Sequence, residues 1–79
     1  MEKSEIIAKV NHVLAEEFEV EESIITPDAN IKNTLQLDSL SLVDMVVLID
    51  NEFGVKIPSA DLVKVPTFAD LYDYLAQRV

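Results

Sequence analysis

No cysteine occurs in the 79 residues, which excludes disulfide staples, thiolate metal sites and a thiol nucleophile supplied by the chain itself. Any sulfur chemistry has to be imported. Glycine occurs once and proline three times, which argues against a β-rich fold with many tight turns and against a disordered linker. Basic residues are scarce: six Lys and Arg stand against fifteen Asp and Glu, a net charge of −9. That balance repels nucleic-acid phosphate and anionic membrane surfaces and steers basic proteins toward the chain. Long apolar runs are also missing, and the longest, Met45 to Ile49, falls far short of the ~20 residues of a bilayer-crossing helix. The opening MEKSEII lacks the basic-then-apolar pattern of a secretory signal. A soluble, cytoplasmic protein is expected, with neither nucleic acid nor membrane among its partners.

What is present suffices for one core. Hydrophobic residues make up 49% of the chain, and at this size a single domain spanning residues 1–79 is expected. Ile6, Ile7, Val10, Val13, Leu14 and Phe18 repeat at helical spacing, which predicts a first helix from about Ser4 to Glu19 with Ser4 as its cap. The stretch VEESIITPDANIKNTLQL has no sustained period and reads as a long loop, with Ile24, Ile25, Ile31, Leu35 and Leu37 available to pin it down. A second helix is predicted from about Ser39 to Phe53, ended by Gly54, the only glycine. Ser59 can cap a short helix through about Val63, and a last helix starts after Pro66 with Thr67 and Asp70 as a variant capping box. Phe68, Leu71, Tyr72 and Leu75 give that helix its apolar face. The expected fold is all-α: a small bundle of three main helices and one short one, with a long loop between helices one and two.

The second predicted helix is apolar on two sides. Leu42, Met45, Val46, Ile49 and Phe53 form a broad stripe for the core, while Leu40, Val43 and Val47 lie on another side beside Asp44 and Asp50. No base occurs between Lys32 and Lys56. An apolar strip edged by carboxylates is a surface suited to a basic protein partner. Just before it stand Asp38 and Ser39. On their own they are an ordinary helix start, since aspartate is a good cap and serine is tolerated in the first turn. The rest of the chain carries no reactive set: His12 is the only histidine, with no Ser–His–carboxylate group, and DNEFG lacks the alternating ligands of a calcium loop. Neither an enzyme nor a metal protein is expected.

The segment LQLDSLSLVDMVVLIDNEFGVKIP, followed by TFADLYDYL, resembles an acyl carrier protein, and the likeness extends over essentially the whole chain. The resemblance implies that Ser39 carries a covalent 4′-phosphopantetheine arm added by a phosphopantetheinyl transferase, with Asp38 capping the helix and helping the transferase recognise the site. It implies a monomer that presents acyl thioesters to acyl-transferring or condensing enzymes with basic docking surfaces. Leu40, Val43, Asp44, Val47 and Asp50 would form the partner surface, and cargo size would follow from how far the helices part around a cavity. Three positions depart from the family pattern: Gln36 replaces a usual glycine, and Ser41 and Asn51 replace usual acids. These thin the acidic stripe and point to a specialised carrier. A D-alanyl or peptidyl carrier would share fold and arm, and an unmodified acidic interaction module would share the fold alone.

Overall fold

Side-chain caps start some of the helices and not others. The computed structural model describes residues 2–79, with Ser59 described by its backbone alone. The first helix, α1, runs over Lys3–Phe18. Its N-cap position is held by Glu2 with no side-chain cap bond, so Ser4 lies inside the first turn and does not cap it. At the other end Glu19 takes a left-handed conformation, φ 55°, and its N–H closes onto Ala15 O.

The segment read as a loop holds two short pieces of helix, a 3₁₀ turn at Glu22–Ile24 and α2 at Ile31–Thr34. Both are one turn long, too short to leave a helical period in the sequence. Asn30 caps α2 by accepting a hydrogen bond from Asn33 N at 3.0 Å. Backbone bonds Ile31 N to Pro66 O (2.9 Å) and Ala69 N to Pro27 O (3.0 Å) staple this segment to the end of the chain. Ile25, Ile31, Leu35 and Leu37 are buried, whereas Ile24 is exposed.

Helix α3 occupies Ser39–Phe53 and stops at Gly54, φ 68°, where the left-handed turn suits a residue without Cβ. Helix α4 is a single turn, Ser59–Leu62, entered from Pro58. The Ser59 side chain expected to cap it lies outside the described residues. Helix α5 covers Phe68–Ala76, with Thr67 Oγ1 accepting from Asp70 N at 3.3 Å. The other half of that box differs from expectation, because the Asp70 carboxylate accepts from the Thr67 hydroxyl at 3.0 Å.

The core lies chiefly between α1 and α5. Ile6, Val10 and Leu14 from α1 meet Phe68, Leu71, Tyr72 and Leu75 from α5, with Met45 and Ile49 from α3 completing it. Ile7 and Phe18 are half-buried against this cluster, and Val13, expected on the same face, is half-exposed. The Tyr72 hydroxyl donates to Asn11 Oδ1, and Lys3 pairs with Asp73, so α1 and α5 are also joined by polar contacts.

Candidate functional site

Asp38 and Ser39 stand at the start of α3. Asp38 is extended, φ −94° and ψ −172°, and its Oδ1 accepts from Ser41 N at 2.8 Å. This satisfies one of the donors a helix leaves open in its first turn. The same bond from the Ser41 N–H holds the Asp38 carboxyl below its usual range. Ser39 is the first residue of α3 and is exposed, and Ser41 is half-buried. The lead-in bends at Gln36, which adopts a left-handed φ of 53°. A left-handed backbone is one that glycine adopts freely, whereas the Gln36 side chain there crowds the backbone.

Along α3 the two apolar sides separate much as their spacing predicts. Leu40, Val43 and Val47 are 78%, 57% and 52% exposed. Of the inner stripe, Met45 and Ile49 are buried, while Leu42, Val46 and Phe53 are only half-buried. Asp44 is exposed and Asp50 is half-buried. Asp50 lines a shallow groove of about 360 Å³ with Val46, Val47, Ile57, Pro58 and Lys56. The absence of a base along this stretch of sequence therefore does not carry into space, because the turn after α3 folds Lys56 back toward Asp50.

A second cleft, about 320 Å³, opens on the other flank of α3. Leu42 and Met45 form one wall, Leu62, Val63, Val65 and Pro66 the opposite one, and Asn30, Lys32 and Asn33 lie along α2. Val63 is 80% exposed, an apolar side chain beside the cleft that spacing alone does not single out. Two further contacts escape sequence reasoning because their partners are far apart in the chain. Lys9 Nζ donates to Glu52 O at 2.7 Å and lies 4.9 Å from the centroid of Phe53, capping the end of α3 from α1. Tyr74 on α5 donates to Asp61 Oδ2 on α4 at 2.7 Å. His12 is exposed, 3.5 Å from Glu16 and 3.7 Å from Glu22, and joins α1 to the 3₁₀ turn.

Comparison with known proteins places the chain in a family. A family model described as the phosphopantetheine attachment site matches residues 8–75. The acyl carrier protein of Thermotoga maritima is 39% identical over 77 residues, covering 98% of this chain and 95% of that protein. The acyl carrier protein of Lactobacillus acidophilus is 35% identical over 75 residues, covering 95% and 94%. The solved structure of the Enterococcus faecalis acyl carrier protein superposes with a TM-score of 0.81 at 30% identity, covering 100% of both chains. The chain is thus a phosphopantetheine-attachment domain. Within that class it belongs to the acyl carrier protein family, whose members hold the arm covalently and work with biosynthetic enzymes.

Proposed function

We propose that this chain carries acyl groups as thioesters on a 4′-phosphopantetheine arm joined to the Ser39 hydroxyl. Its partners are acyl-transferring and condensing enzymes of fatty-acid, polyketide or related biosynthesis. The position of Ser39 carries this reading: it is exposed, first in a fifteen-residue helix, and follows an Asp38 fixed by its own capping bond. These residues fit the arm, since a phosphodiester held at Ser39 would lie at the start of α3, where first-turn N–H groups favour an anion.

Ser39 Oγ attacks the pantetheine-side phosphorus of coenzyme A on a phosphopantetheinyl transferase. The new O–P bond forms as the pyrophosphate P–O bond breaks, and adenosine 3′,5′-bisphosphate leaves. The Ser39 proton passes to a base on the transferase, because the bond from Ser41 N–H lowers the Asp38 carboxyl and leaves it a weak base. Asp38 serves as cap and recognition element. Leu40, Val43 and Val47 dock the partner through burial, and Asp44 and Asp50 guide basic enzymes to that surface. The chain acts as a monomeric, cytoplasmic, non-catalytic carrier, and Gln36, Ser41 and Asn51 favour a specialised role over a housekeeping one. Among the described residues no helix is long and apolar enough to cross a membrane.

Incubation with coenzyme A, Mg²⁺ and a broad-specificity transferase should add the mass of one arm, and Ser39→Ala should add none. Modification of the Ala variant, or of Ser41, would overturn the assignment. An acyl donor should load the holo protein where D-alanyl and aminoacyl activating enzymes do not.

A further inference from the structure

We propose that Tyr74 and Asp61 form a latch on α4 that sets how large an acyl group the cleft beside α3 accepts; the cargo part of this inference rests on the function proposed above. Helix α4 is four residues long, has no side-chain cap bond, and sits between Pro58 and Pro66. A helix of one turn has no stability of its own. Its position depends on what it packs against and on what holds it from outside.

The two sides of this turn face different surroundings. Leu62 and Val63, with Val65 just beyond, form the cleft wall opposite Leu42 and Met45. Asp61 lines a neighbouring depression with Asp70, Asp73 and Arg78, and Val65 borders both hollows. There it accepts the 2.7 Å hydrogen bond from the Tyr74 hydroxyl. Tyr74 is a firm post, because Phe68, Leu71, Tyr72 and Leu75 bury the same helix in the core. The Arg78 guanidinium lies 3.5 Å from the Tyr74 ring centroid and also donates to Tyr74 O at 3.2 Å. The bond therefore ties α4 to α5 through a residue that is not itself part of the cleft lining. Releasing it lets the wall carrying Leu62 and Val63 move outward, and the cleft admits a longer aliphatic chain.

Native-state hydrogen exchange on the full chain tests the latch without any loading. In Tyr74→Phe and in Asp61→Ala, the amides of Leu62, Lys64 and Val65 should exchange about three- to tenfold faster, the fold-change of one lost hydrogen bond. Amides within α1 and α3 should keep their rates. Asp61→Asn retains an acceptor oxygen and should stay close to the wild type. The double variant Tyr74→Phe, Asp61→Ala should go no further than either single one, as coupled partners do. Unchanged exchange at α4, acceleration spread over every helix, or additive effects would overturn the latch.

Capacity is then read by hydroxylamine cleavage of the loaded protein. In the wild type a butanoyl thioester should be cleaved more slowly than a decanoyl one, and in Tyr74→Phe the decanoyl thioester should gain protection several-fold relative to butanoyl. An unchanged ratio overturns the capacity role while leaving the exchange result standing. Failure of Ser39 to load overturns the carrier reading and the cargo part with it, and the exchange data still decide whether the latch exists.

Discussion

Helices α5 and α3 are both apolar, yet they put that apolarity to different uses. Helix α5 buries Phe68, Leu71, Tyr72 and Leu75 out of nine residues, whereas α3 buries only Met45 and Ile49 out of fifteen. On the α1–α5 side the apolar groups close a core that polar contacts lock, Tyr72 to Asn11 and Lys3 to Asp73. On the α3–α4 side, Leu40, Val43, Val47 and Val63 are exposed, and Val47 and Val63 each line a hollow. The apolar content of α3 is thus divided: Leu42, Met45, Val46, Leu48, Ile49 and Phe53 lie in or against the core, and Leu40, Val43 and Val47 face outward. One half of the molecule holds the fold so that the other half can present a surface and a serine.

The contrast breaks most readily in the core. Phe68→Ala should cost about 3–5 kcal/mol through lost burial and a residual cavity. For so small a domain that approaches the whole folding free energy, so far-UV circular dichroism at room temperature should show substantial unfolding. The wild type should be strongly helical before and after loading, and a coil-like apo spectrum would remove the idea that the α1–α5 core suffices.

Substitutions on the α3 surface should do the reverse. Val47→Ala should speed partner dissociation at all salt concentrations, while Asp44→Lys should slow association and mimic the effect of raised salt on the wild type. Affinity should fall about tenfold for each, while stability moves by no more than about 0.5 kcal/mol, as for ordinary surface changes. Surface plasmon resonance with a cognate enzyme, paired with thermal melts, separates the two readouts. Binding indifferent to both changes would end the docking assignment.

Gln36→Gly sharpens the comparison on a smaller scale. It relieves a left-handed side chain at φ 53°, and the relief exceeds the added freedom of the unfolded chain, so stability should rise by about 0.5–1 kcal/mol. A denaturant melt with a lowered midpoint would contradict the strain at this lead-in.

The pH limits of the two sides should also differ. Burial raises the Tyr72 hydroxyl above its usual 10.0, so its contribution is present below that value and lost as pH rises through the higher folded one. Asp38 is lowered below its usual 3.8 by the bond from Ser41 N–H. Its contribution is present above that value and lost as pH falls through the lower folded one. Tyr72→Phe should flatten the alkaline limb of a stability profile, and Asp38→Asn, which can still cap, should flatten a small part of the acid limb. Unaltered limbs would show that neither group is linked to folding.

Much of this was legible in one dimension because it depends on neighbours three or four residues apart. The α3 bounds at Ser39 and Phe53, the stop at Gly54, the Asp38 and Thr67 caps, and the exposure of Leu40, Val43 and Val47 all follow from helical spacing and first-turn chemistry. Ser4 misled because a good cap residue predicts a boundary only if the chain before it is extended, and here the helix already starts at Lys3. The single turns at Glu22–Ile24 and Ile31–Thr34 were invisible because they are shorter than a period, and α2 is held in part by the backbone bond to Pro66.

The sequence by itself determined the all-α class, the acidic character, the absence of a thiol, and a serine at a helix start, since each is a property of composition or of local chain geometry. Only the tertiary structure decided that Lys56 folds back to the groove of Asp50, that Lys9 caps α3, and that Tyr74 reaches Asp61. Those contacts join residues whose proximity depends on how helices pack, and packing is set by the core as a whole rather than by any stretch of neighbours.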